Sequence, residues 1–137
     1  MEKNFNKISN LIRLEFLKLI DSGYKYHLGG TASCIDLLTV LFYGNFINLS
    51  NTNRMKFVLS KGHALGALHA ILINQKIISK KILNNMKQKG EIGGQLDIYN
   101  LKNYVDWNTG SLGHSVGVVP GMAISKPNKK VWTIVGD

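Results

Sequence analysis

The sequence predicts an α/β chain, on three observations. Two short apolar runs rich in β-branched residues, Phe57-Val58-Leu59 and Val131-Trp132-Thr133-Ile134-Val135, read as strands. Segments of helical period precede the first strand and fill much of the chain between the two. Strands joined by helical crossovers favour parallel pairing, so the 137 residues read as one α/β unit.

Taken in order, residues 5–20 place Ile8, Leu11, Ile12, Phe16 and Leu17 mainly at three- and four-residue intervals, which predicts one helix face. Asp21-Ser22-Gly23 ends that helix. Tyr24 to Thr31 carries paired glycines and no period, and reads as a loop; Thr31 or Ser33 can cap the next helix, over 33–43. A polar linker over 45–55, interrupted by Phe46, Ile47 and Leu49, leads to the strand Lys56–Leu59. The strand stops at Ser60-Lys61-Gly62-His63 and gives way to a helix over 64–74, whose Ala64, Gly66, Ala67 and Ala70 permit close packing. Ser79 is expected to cap a basic helix through Lys89, with Ile82, Leu83 and Met86 inward, and 91–108 reads as a long loop. Thr109-Gly110-Ser111-Leu112-Gly113-His114-Ser115 opens a further helix through Met122 and Ala123 before Pro127-Asn128 turns the chain into the last strand. Ending on a core strand and a Gly136-Asp137 turn, the sequence is expected to be part of a larger protein, with a neighbouring segment covering the sheet edge.

Composition narrows the function classes. Seventeen Lys and Arg against eight Asp and Glu give a net charge of +9. The charge is scattered, and its modest lysine clusters lack the arginine and aromatic interleaving of a base-stacking surface, so the reading is a solvated face and not a nucleic-acid partner. Such a field still suits phosphorylated ligands. The single cysteine, Cys34, excludes an internal disulfide framework and reads as a buried thiol in a reducing compartment. No apolar run reaches membrane-span length and no signal-peptide pattern opens the chain, so the expected location is cytoplasmic, with no membrane partner.

The chemistry-bearing residues are histidines in glycine-flanked positions. His69 sits inside a helical pattern and reads as packing, whereas His27, His63 and His114 lie in loops or at helix starts, where a side chain can reach a ligand. Their spacing matches no compact metal-ligand pattern, and the lone cysteine cannot complete a zinc set. Asp137, after a glycine at the carboxyl end of a strand, is the better ligand for a hard cation such as Mg²⁺. The Gly110–His114 segment fits either a phosphate cradle at a helix start or a glycine-rich turn that only permits tight packing.

These segments, in this order, resemble the amino-terminal, pyrophosphate-binding domain of transketolase and related thiamine diphosphate enzymes. The matching blocks are His27-Leu28-Gly29-Gly30, Phe57 to Ala64, Thr109 to His114, Gly117 with Gly121-Met122-Ala123, and Val135-Gly136-Asp137, spanning nearly the whole chain. The resemblance implies a doubly wound α/β domain with a parallel sheet, here incomplete, that holds thiamine diphosphate through Mg²⁺. It implies that His63 contacts the diphosphate, that Gly110 and Leu112 approach the aminopyrimidine through their backbone, and that His27 stands beside the thiazolium and substrate. Gly136 and Asp137 match the start of the metal-binding Gly-Asp-Gly signature, with Asp137 as the ligand.

Departures from the family pattern temper the implied activity. The family often carries Gly-His-Pro in the long loop; Gly93-Gly94-Gln95-Leu96-Asp97 has glutamine there, which hydrogen-bonds but cannot transfer a proton. The last glycine of the metal signature, the downstream asparagine ligand and the pyrimidine-binding domain with its glutamate are not in these 137 residues. The expectation is a transketolase-like segment that moves two-carbon ketol units between sugar phosphates when completed by a carboxy-terminal segment or subunit, dimeric when complete and inactive alone. A related synthase shares the domain. The alternative is a non-catalytic remnant or scaffold subunit of the same fold; a nucleic-acid-binding module rests on net charge alone.

Overall fold

The computed structural model describes residues 4–49, 51, 54–81, 83–84, 106–107 and 109–136. Helix α1 (Phe5–Asp21) starts where Asn4 Oδ1 accepts from the Lys7 amide at 3.0 Å, satisfying one orphan N–H. Its buried apolar stripe is Ile12, Phe16 and Leu19, with Ile8 partly buried. Leu11 and Leu17, expected on the same face, are 47% and 53% exposed. Each is one residue off the stripe, and one residue turns a helix by about 100°.

The segment read as a glycine loop contains a short helix, α2 (Leu28–Ala32). The amide of Thr31 donates to the His27 carbonyl at 2.9 Å and that of Ser33 to Gly29 at 3.0 Å, closing the turn despite two glycines. Gly30 is small because another side chain needs its space, not because the backbone must turn there. Helix α3 (Ile35–Tyr43) is preceded by Cys34 with no side-chain cap. The expected caps are otherwise engaged: Ser33 Oγ donates to the Gly30 carbonyl at 3.0 Å, and Thr31 turns its hydroxyl into the interior. Cys34 is buried as read, its thiol 3.4 Å from the Thr31 carbonyl, and burial pushes its pKa up.

Strand β1 (Lys56–Leu59) leads through a single 3₁₀ turn, Gly62–Ala64, into α4 (Leu65–Asn74). Helix α4 is buried from Leu65 through Leu72, so it reads as apolar all round because α1 and α3 pack over it. Gly66 sets that closeness: a Cβ there would come within 2.6 Å of Phe16 Cε2. Helix α5 (Ser115–Ser125) precedes β2 (Val131–Ile134), which pairs parallel to β1 with Lys56 opposite Val131 and Leu59 opposite Ile134. Helices and a parallel strand pair make this an α/β arrangement, as read from the sequence. The expected basic helix over 79–89 and loop over 91–108 lie largely outside the described residues; residues 80, 81, 83 and 84 are helical and Leu83 is buried. Among the described residues, no helix is long and apolar enough to cross a membrane.

Candidate functional site

The carboxyl end of the parallel pair gathers the residues singled out from the sequence. The Lys61 amide donates to the Ile134 carbonyl at 3.2 Å, so the ladder runs one step past β1 and fixes where the Ser60-Lys61-Gly62-His63 loop leaves the sheet. His27, immediately before α2, makes no capping bond with its side chain. Its ring instead meets that of His63 edge-to-face, with centroids 5.5 Å apart and planes at 76°. Gly30 makes the approach possible, since a Cβ on it would lie 2.5 Å from His63 Cδ2.

Lys61 threads the same corner. Its stem passes where a Cβ on Gly136 would sit 2.8 Å from Cδ, and its ammonium donates to Ser33 Oγ at 3.2 Å. The loop, the end of α2 at Ser33 and Gly136, two residues past β2, are thereby held against one another. His27 is exposed and His63 half-buried, so both rings are open to a ligand. Thr31 Oγ1 on α2, Ser60 Oγ after β1 and Ser115 Oγ at the start of α5 are buried and have no hydrogen-bond partner among the described residues. Orphaned buried hydroxyls are costly to the fold.

A strap along β1 delivers the second glycine segment to this edge. At the amino end of β1, Asp106 accepts from Arg54 at 2.5 Å, Lys56 at 2.7 Å and the Phe57 amide at 2.9 Å. Burial alone would raise the Asp106 pKa, but these bonds and the Arg54 charge outweigh it and hold the carboxyl below the usual range. At the carboxyl end, Thr109 Oγ1 donates to the Leu59 carbonyl at 2.6 Å, and Gly62 has no room for a Cβ because Thr109 O would lie 2.7 Å away. Gly110 follows directly. Leu112 and His114 are exposed on the turn into α5, where Gly113 adopts φ +72°.

The structure therefore brings together His27, His63 and Gly136, sets Gly110 one residue from the loop contact, and leaves Leu112 and His114 exposed. Gly113, Gly117 and Gly121 meet nothing within 4 Å among the described residues. Asp137 and Gln95 lie outside the described residues. Among the described residues, no group of three or more His, Cys, Asp or Glu is placed to hold a metal ion. Arg54 and Asp106 carried no signal in the sequence, and Thr109 and Gly30 stood there in the matching blocks without a role. The Asp106 contacts span 49 to 52 residues and carry no local signal, whereas the paired glycines did carry one.

Comparison with known proteins now adds to the geometry. The chain is 30% identical over 132 residues to a Phocaeicola vulgatus protein named as one subunit of an apulose-4-phosphate transketolase, covering 88% of this chain. It is related to the transketolases. Human transketolase is 27% identical over 140 residues, and a Clostridium protein named as one subunit of a 6-deoxy-6-sulfo-D-fructose transketolase is 29% identical over 140 residues. The chain spans 46% of the Phocaeicola protein, 50% of the Clostridium one and 22% of the human enzyme. No protein-family model matches the sequence.

Proposed function

We propose that this chain is the cofactor-diphosphate-binding part of a thiamine diphosphate- and Mg²⁺-dependent transketolase, moving two-carbon ketol units between sugar phosphates. The observation that carries the reading is the His27–His63 ring pair, seated over Gly30 at the carboxyl end of a parallel strand pair. Open α/β sheets bind their ligands at this edge. The transketolase relationship gives the ligand its chemical class.

The residues present fit a diphosphate. His63, half-buried in the loop after β1, would donate a ring N–H to it. Gly110 and Leu112 would offer backbone groups to the aminopyrimidine, Gly136 would leave room for the cofactor, and Asp137 would take the Mg²⁺. When bound, the cofactor supplies the carbon nucleophile that breaks and forms the carbon–carbon bond. His27, exposed and unengaged as a cap, would hold or move a proton at a ring nitrogen beside the substrate's hydroxyl and carbonyl groups. The +9 charge favours phosphorylated substrates.

Two of the relatives are named as subunits, which supports a partner chain that completes the site here too. The chain would accordingly be a cytoplasmic protein, acting as a dimer of completed units. Calorimetry of the chain with thiamine diphosphate and Mg²⁺ tests the reading. Uptake is expected, weakened at least tenfold, about 1.4 kcal/mol, in His63→Ala. Equal heats with thiamine lacking the diphosphate, or no uptake, would favour the scaffold alternative.

A further inference from the structure

We infer that the partly buried Tyr26 and the buried His69 form a positioning pair that fixes the direction of His27 against His63, an inference whose functional weight rests on the reading above. The Tyr26 hydroxyl and His69 Nδ1 share a hydrogen bond of 2.9 Å, and the two rings meet edge-to-face at 5.9 Å. Tyr26 is seated on three further sides. Phe16 of α1 lies 5.8 Å away between ring centroids, Tyr24 stacks at 6.1 Å, and Gly66 of α4 has no room for a Cβ, which would approach Tyr26 Cγ to 3.0 Å.

The pair joins the two segments that carry the site histidines. Tyr26 immediately precedes His27, and His69 stands on the helix that the His63 loop enters. Neither His27 nor α2 has a side-chain cap to set its direction, so the Tyr26 ring in its socket is the fixed point one residue away. An apolar contact would hold the Tyr26 ring in its seat but leave its long axis free to tilt; a hydrogen bond to the hydroxyl at the end of that axis is directional.

Stability alone does not account for a histidine at position 69. It is fully buried, its Nε2 has no partner among the described residues, and burial pushes its pKa down to about 3. A leucine there would carry none of that desolvation cost. The polar pair is thus retained for orientation.

The test compares Tyr26→Phe with the double variant Tyr26→Phe, His69→Leu in the 137-residue chain. The first keeps the ring and removes its hydroxyl. The second removes both polar partners, a change that is close to neutral for stability when shape is kept. Two readouts are followed: NMR cross-peaks between the His27 and His63 rings, and thiamine diphosphate affinity with Mg²⁺. For a positioning pair, Tyr26→Phe loses the inter-ring cross-peaks and about tenfold in affinity, and neither returns in the double variant even as its melting temperature recovers. Cross-peaks that survive Tyr26→Phe, or that return together with stability in the double variant, overturn the inference. A wild-type chain that takes up no cofactor overturns the functional reading alone, because the cross-peaks still decide the role of the pair.

Discussion

The two ends of β1 are built on opposite principles. At the amino end, Arg54, Lys56 and the Phe57 amide all converge on Asp106, and the Arg54 and Asp106 side chains are each only 5% exposed. Every oxygen of that carboxylate is engaged. At the carboxyl end, the His27 ring is exposed and the His63 ring half-buried, and Gly30, Gly62 and Gly136 stand where a Cβ would intrude. One end closes its polar accounts and anchors the chain; the other leaves them open for a ligand. A strand four residues long can serve both purposes because the strap from Asp106 to Thr109 ties the ends together.

That contrast breaks most visibly at Asp106. Replacing it with Ala removes the carboxylate on which Arg54, Lys56 and the Phe57 amide converge, and chemical denaturation should register a loss of about 3 kcal/mol. The His27–His63 cross-peaks of any folded fraction should be unchanged. Acid separates the ends next. Unfolded, His69 takes up a proton at its ordinary value of 6.5; folded, burial holds it down to about 3. Between those values unfolding binds a proton, so stability is full above pH 6.5 and falls as pH drops, by up to 1.36 kcal/mol per unit. In His69→Leu that part of the slope disappears, which urea titrations at several pH values would reveal.

Gly30→Ala should do the converse of Asp106→Ala. The added methyl displaces the His63 ring and lowers thiamine diphosphate affinity about tenfold, while the melting temperature moves little, because the atoms it meets belong to the half-buried His63 side chain and not to backbone. The smallest effect is expected on α5, where Val116 and Ile124 are 57% and 80% exposed. Serine at either position should leave stability within about 0.5 kcal/mol by denaturant titration of the chain.

What the sequence made legible was local. The strand at Lys56–Leu59 and helices α1, α3 and α4 follow from hydrophobic period and small-residue runs, and their bounds agree with the reading to within about two residues. Helix α2 was misread because Gly29-Gly30 looks like a turn signal, whereas Gly30 answers to His63, a residue 33 positions away in the chain. The Arg54–Asp106 pair, 52 residues apart, left no periodic trace. His27 and His63 were singled out individually by their glycine neighbours, but only the family resemblance joined them before the fold did. Lys61 is a strut between Ser33, just after α2, and Gly136, a role with no local signal in the sequence.

The most direct test of the contrast between the two ends is an amide NMR titration of the chain with thiamine diphosphate and Mg²⁺. Shifts should concentrate at Gly29, Gly30, Lys61, Gly62, His63 and Gly110, with Arg54 and Phe57 at the anchored end unmoved. Shifts centred on Arg54 and Phe57, or none at the carboxyl end at saturating cofactor, would contradict the account.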